Sequence, residues 1–483
     1  MVTGKNPGKL GVYDFVKRKA NSYEIESIQQ NWDDWNPILR ILNRAGKRTI
    51  IVDIPTVTAE EVNGVFVSGL DMTKRRLAYP PQLESRLKRD GYNLDSPYFH
   101  EVLPDDYLYE IYNITKKQMN LISQLIENEI YDFFMFVLFY TDQVQHYFWK
   151  YMDDRHPLYN PYSKYKDEIL NYYMFIDDFL NNLLSRLSQE VTIIVVSDHG
   201  FGPHYKDVDL NKFLQEEGFL KLKEVRNKIN KGKINRDSIR GFLDWIKSRY
   251  VFRKIFLKNI TIRKIFERLV NTVSFEPQLK DIVDWSDTLA YSLTENGIFI
   301  NLKDREPQGV VDIKEYEKIR EEVINKLRNL KDGEKCVIAN AWKREDIYSG
   351  PYVNNAPDII VEFIDGYTSR IGNKINKEIF NPPVALQSGM HRREGVFLAY
   401  GPDIKKGERV DAKIYDIAPT ILHIFGLPIP NDMDGRVLME IFKPDSEIAK
   451  REPVYVDPRY CGKDTEKEKL KSAIRELKLK RKI

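Results

Sequence analysis

The sequence predicts an α/β fold, a three-layer sandwich around a largely parallel sheet. Two features of the chain predict it. Short continuous apolar runs alternate with helical patterns through most of the length, the signature of strands that pair in parallel with helices covering both faces. Polar clusters then follow several of these runs at once, where α/β sheets gather their ligands. Four runs carry the argument: FFMFVLFY ending in Thr141-Asp142, VTIIVV ending in Ser197-Asp198-His199-Gly200, DIIVEF after Ala356-Pro357, and VFLAYG after His391 to Gly395. Parallel strands buried on both faces lose their polar alternation and become continuous in this way.

Later elements follow the same logic. VDIKEYEKIREEVINKLRNL, residues 311–330, has amphipathic helical spacing and leads to a strand around Lys335 to Ala339, a small α/β excursion. IYDIAPTILHIFGL, residues 414–427, is expected to form a core helix entered at Pro419 and stopped at Gly426. Residues 219–270 hold sixteen Lys/Arg against four Asp/Glu, with Ile, Phe, Leu and Trp at helical intervals, in a chain of net charge +3. This segment is expected to be an inserted basic helical cap, and the remainder of the chain is acidic overall. The expected division is therefore a core, first part, over 1–218; the cap over 219–275; a core, second part, over 276–450 with the excursion near 305–350; and a charged C-terminal extension over 451–483.

Composition excludes several classes. At 483 residues, 42% hydrophobic and 30% charged, the chain can bury a large core. Its apolar runs are far shorter than the roughly 20 residues a transmembrane helix needs. Cys336 and Cys461 stand far apart, which gives neither a disulfide framework nor a thiolate metal site, and a reducing, cytoplasmic setting is the default expectation. The basic segment lacks a nucleic-acid-binding motif; a cationic lid suits any small phosphorylated substrate.

The candidate site residues come from three places. Asp142 and His146 in TDQVQHYFW are four apart, so one helical turn puts a carboxylate and an imidazole on one face. Asp198 and His199 lie in SDHGF, where Gly200 permits a sharp turn, and His391 lies in SGMHRREG. Taken singly, the first pair also describes a surface pair, Asp198 a helix N-cap, and His391 a loop histidine. Together, hard carboxylate plus imidazole without thiolate suits two adjacent divalent metals, zinc first and manganese or iron as alternatives, in a hydrolytic site. Of the other histidines, His423 in ILHIF is expected in the core, His100 and His156 in polar loops, and His204 in an outer supporting position.

With these residues quoted, the chain resembles the type I phosphodiesterase/nucleotide pyrophosphatase family of the alkaline phosphatase superfamily. The resemblance runs through TGKNPGKLGVYDF, TDQVQHYFW, SDHGFGP with DLNKFLQEEGFL, DWSDTLAYS to IFINLKDREPQGVV, APDIIV, SGMHRREGVFLAYGPDIKKG and IYDIAPTILHIFGLPIPNDMDGRVL. It implies an alkaline phosphatase-like core with two metal ions, usually zinc. One would be held by Asp142, His146 and His391. The other would be held by Asp198 and His199 with an aspartate from a first strand and a Thr or Ser nucleophile that forms a covalent phospho-enzyme. The segment matching that strand and nucleophile precedes VTGKNPGKLG in the family, and Thr3 matches a turn threonine after the nucleophile. A longer natural protein is therefore expected, with roughly 40 to 70 residues upstream, the length of one βα unit and its loops. A sulfatase-like hydrolase of the same superfamily, or an inactive metal- and anion-binding homologue, is the alternative.

Overall fold

The computed structural model describes all residues except 29–36, 56, 70–75, 96–101, 225–277, 373–374, 384–386 and 459–483. Nearly all of the expected cap and most of the C-terminal extension therefore lie outside the described residues, as does His100. The first part of the chain supplies β1 (Thr49–Ile54), β2 (Gly64–Ser68), α1 (Pro104–Asn128), β3 (Phe133–Phe136), α2 (Tyr140–Met152), α3 (Glu168–Leu184), β4 (Ile193–Val196) and β5 (Gly200–Val208). β1 lies between β2 and β3, parallel to both, and all six of its residues are buried. That position explains the uninterrupted TIIV run, since neither face meets water. α1 starts with Pro104 and places Asp105 and Asp106 in its first turn, where carboxylates favour the helix dipole. Its buried residues, including Tyr107, Ile111, Ile114, Gln118, Ile122 and Leu125, follow the helical repeat and face the sheet and α3.

The second part supplies β6 (Gly297–Ile300), α4 (Ile313–Arg328), β7 (Ile338–Lys343), β8 (Ile359–Phe363), β9 (Gly366–Ser369), β10 (Gly389–Arg392), β11 (Phe397–Tyr400) and α5 (Ile417–Ile424). β7, β8 and β6 form an antiparallel sheet covered by Val323, Ile324 and Leu327 of α4. α4 and α5 fall where the helical spacing places them, with Asp312 accepting from Lys314 N–H at the start of α4 and Gly426, at φ 66°, beyond the end of α5. Phe219 and Leu220, placed by the sequence at the start of the cap, are buried among Trp285, Tyr291 and Leu293. They belong to this second core.

The α/β class holds, while strand directions differ from the expectation in three of the four runs, β4, β8 and β11. IIVEF in β8 pairs antiparallel inside the second sheet, and FLAY in β11 pairs antiparallel with β4. A continuous apolar run carries no information on strand direction. β3 and β4 also remain only partly buried, with Val195 43% exposed. Among the described residues β3 pairs only with β1, and β4 only with β11.

The opening stretch is tied to two places in the second part. Asn6 N–H and Nδ2 donate to Asp434 Oδ2 at 2.7 and 3.0 Å, and Asn6 Oδ1 caps the short helix Pro7–Leu10 through Gly8 N–H. On the other side Tyr352 N–H donates to the Gly8 carbonyl at 3.0 Å.

Candidate metal centre

The chain leaves β3 and turns directly into α2, which sets Asp142 in its first turn and His146 one turn on. His391 arrives on β10, whose antiparallel register on β5 pairs it with Phe201. Glycine makes that approach possible. A Cβ at position 389 would overlap the Gln145 carbonyl of α2, so only glycine lets β10 lie against the helix that carries His146.

Three ligand atoms converge. His391 Nε2 lies 2.9 Å from Asp142 Oδ1 and 3.1 Å from His146 Nε2, and His146 Nε2 lies 3.4 Å from the same Asp142 oxygen. His146 Nδ1 sits 2.8 Å from the Gly389 carbonyl, which can only accept, so that nitrogen carries the proton and Nε2 presents its lone pair. His199 is arranged in the same way: its Nδ1 donates to the Gly200 carbonyl at 3.0 Å, and its Nε2 is 3.8 Å from Asp142 Oδ1. The His199 ring stacks on His391 with centroids 3.7 Å apart. Asp198 stands at the edge, mostly exposed, with Oδ1 3.7 Å from His199 Nε2. It leads into β5, a strand, so a helix N-cap does not describe it.

The five residues named from the sequence thus lie in one connected group, with Asp142, His146 and His391 its compact part: their ligand atoms all fall within 4.8 Å of one another. Burial pushes the Asp142 carboxyl up, but His146 and His391 outweigh it and hold the group well below the usual carboxylate range. Two imidazole nitrogens and a carboxylate oxygen converge at these separations. Such a donor set fits a divalent cation of borderline hardness, zinc before calcium or magnesium.

The remaining histidines divide differently. His204 is fully buried, with Nε2 2.9 Å from Asp207 Oδ1. A backbone link joins it to the site: His204 N–H donates to the Ser388 carbonyl, and Ser388 N–H to the His146 carbonyl. His156, expected in a polar loop, is buried with Nε2 3.0 Å from the His204 carbonyl. His423 is a core histidine bonded to the Ile448 carbonyl.

Sequence reading missed the carbonyls that orient the imidazoles, those of Gly200 and Gly389; Gly200 adjoins His199 and could have been found, whereas Gly389 meets His146 only through the fold. It also missed a cleft of about 1010 Å³ that opens beside His391 toward Asp14, Glu295 and Trp342. Burial pushes the Asp14 carboxyl up although three backbone N–H groups bond to it, and Glu295 is raised too.

The profile of the family described as type I phosphodiesterase / nucleotide pyrophosphatase matches residues 1–391, a span containing all five residues. Similar solved structures include murine ectonucleotide pyrophosphatase / phosphodiesterase 5, at 12% identity, 92% coverage of this chain, 86% of that chain and a TM-score of 0.41. Another is phosphonoacetate hydrolase from Sinorhizobium meliloti 1021 in complex with phosphonoacetate, at 12% identity, 85% and 79% coverage and a TM-score of 0.41. No curated protein matches the chain in sequence. Among the described residues no helix is long and apolar enough to cross a membrane. The chain belongs to the type I phosphodiesterase / nucleotide pyrophosphatase family and is a phosphoester hydrolase of that type.

Proposed function

We propose that the chain hydrolyses small phosphoric diesters or pyrophosphates with two divalent metal ions, zinc fitting the donors best, through a Thr or Ser phospho-enzyme. The convergence of Asp142 Oδ1, His146 Nε2 and His391 Nε2 carries this reading. These three residues would hold one ion, and Asp198 and His199 would contribute to the second. When bound, the ions supply Lewis-acid stabilisation of charge on the phosphoryl oxygens. The protein's own part is orientation: the Gly389 and Gly200 carbonyls fix the His146 and His199 tautomers, so both Nε2 atoms would turn their lone pairs to the ions.

The nucleophile and one further carboxylate are to be sought on a strand running between β3 and β4. Three observations support that place. Each strand has one edge without a ladder partner among the described residues. Phe133 and Met135 of β3 share an apolar cluster with Ile194 and Val196 of β4. Their carboxyl ends also meet, since Asp142 follows one and His199 the other. Thr3 does not fill the role: it is buried, and its hydroxyl accepts from Lys5 N–H at 3.4 Å.

Zinc titration by calorimetry tests the metal reading. Expected is one tight site abolished by Asp142→Asn and by His391→Ala, with a weaker second site that Asp198→Asn removes. Zinc binding indifferent to all three changes overturns it. Trapping of the phospho-enzyme and mapping of the labelled peptide test the strand; label on a residue of the described strands overturns that part.

A further inference from the structure

His391 stands apart from the other two imidazoles of the metal centre. His146 and His199 each have Nδ1 bonded to a carbonyl, which fixes the tautomer and the ring plane together. His391 Nε2 faces Asp142 and His146, but among the described residues its Nδ1 has no hydrogen-bond partner. Its side chain is also the most open of the three, 40% exposed against 7% for His146. A solvated imidazole has several staggered rotamers within reach, and a ligand must keep the one that turns Nε2 to the shared centre. Neither a hydrogen bond at Nδ1 nor burial holds this ring.

Aromatic packing takes their place. β10 on β5 pairs His391 directly with Phe201, so the two side chains share one face of the ladder. Their rings meet at 5.4 Å and 77°, while His199 stacks on the other side of the contact at 3.7 Å and 24°. The Phe201 ring also meets His146 at 4.8 Å and 76° and His199 at 5.9 Å and 53°, so one benzene ring adjoins all three imidazoles. Phe201 is held in turn. Trp149 lies nearly parallel to it at 6.0 Å and 24°, and Trp149 Nε1–H donates to Asp153 Oδ2 at 3.1 Å. Asp142, His146 and Trp149 stand on one face of α2, so the helix that carries two ligands also carries the support of the ring beside the third. Glycine at 389 leaves room for both rings: a Cβ there would lie 3.0 Å from Phe201 Cε1 and 3.1 Å from Trp149 Cβ.

We propose that Phe201, backed by Trp149, is the positioning residue for His391: its ring replaces the hydrogen bond that the other two histidines receive and keeps Nε2 turned toward Asp142. The consequence for metal affinity rests on the metal reading above; the orientation of the imidazole does not. Phe201 touches no reacting atom. It supplies a preformed ligand set, so that an arriving cation meets His391 already in place.

Two variants separate the ring from its bulk: Phe201→Leu keeps an apolar side chain, and Phe201→Tyr keeps the ring. In the metal-free chain, ¹³C relaxation of labelled histidine should show the His391 ring as ordered as that of His146 in the unmodified protein and in Phe201→Tyr. In Phe201→Leu the His391 order parameter should fall by about a third, while His146, bonded to the Gly389 carbonyl, stays ordered. Zinc affinity from calorimetry should fall about 10-fold in Phe201→Leu and stay unchanged in Phe201→Tyr. Cobalt in place of zinc should show an altered ligand-field spectrum in Phe201→Leu alone. The inference is overturned if the His391 ring is equally ordered in Phe201→Leu and the unmodified protein, or if Phe201→Leu binds zinc unchanged. It is also overturned if both variants lose affinity equally, in step with a lowered Tm, since the side chain would then serve the fold alone. Zinc binding indifferent to Asp142→Asn and His391→Ala overturns the metal reading instead, and the His391 relaxation then decides the positioning role by itself.

Discussion

Replacing Asp53 by Asn should stabilise the protein at neutral and alkaline pH and do little in acid. Asp53 sits in β1 at the centre of the parallel sheet, 1% exposed, at a bulge in the ladder and with a left-handed φ of 63°. Its Oδ2 accepts from Tyr92 Oη at 2.5 Å and from Gln118 Nε2 at 2.7 Å. Oδ1 is buried without a partner, and no cation touches either oxygen among the described residues. Burial dominates these two bonds and pushes the carboxyl from 3.8 up to about 7. Because the folded-state value is raised, the stability present below about pH 3.8 is lost as pH rises and is fully lost once pH passes about 7. At about 1.4 kcal/mol per pH unit, that loss is roughly 4 kcal/mol at pH 8, of which about 1.5 is already incurred at pH 5. Asn keeps an acceptor for Tyr92 and Gln118, carries no charge, and adopts a left-handed φ readily. The stability gap between Asp53→Asn and the unmodified protein, from urea unfolding, should therefore widen by about 2 to 3 kcal/mol between pH 5 and pH 8. A gap that stays constant, or one that grows toward acid, would refute the reasoning.

Gly389→Ala should separate His391 from His146, because the added methyl meets the Gln145 carbonyl; zinc affinity should fall at least about 10-fold, and unchanged affinity would show that β10 can shift freely. Asp358, fully buried, accepts from Arg305, Arg344, Tyr316 and Ile300 N–H. Asp358→Ala removes the buried carboxylate shared by both guanidinium groups, leaving Arg305 with Glu306 and Arg344 with Glu345, and should cost about 3 to 5 kcal/mol in urea unfolding, while a loss under about 1 would mean that these pairs and water replace the carboxylate. Leu398 on β11 is 60% exposed, so Leu398→Ser should change stability by under about 1 kcal/mol; a larger loss in the same assay would show the face to be covered in solution.

The sequence by itself determined the local elements and the ligand types. The helical repeat at 313–328, the stop at Gly426 and the one-face spacing of Asp142 and His146 all follow from periods of 3.6 residues and from glycine's access to positive φ. These are properties of neighbouring residues, so the chain carries them openly. The apolar runs were also legible, and so segments such as IIVEF were recognisable as strands. Their direction was not, because a side chain covered on both faces reads the same in a parallel or an antiparallel ladder. The convergence of His391 with a helix about 245 residues earlier was decided by register: β10 on β5 pairs His391 with Phe201, and a slip of one residue would have turned the imidazole to the opposite face. The Glu295 cleft was invisible for a related reason. Its wall comes from a turn pinned by Asp14 and Ser369, residues distant in the sequence, and a carboxylate in such a turn looks like any surface acid until folding brings Asp14 beside it and removes water.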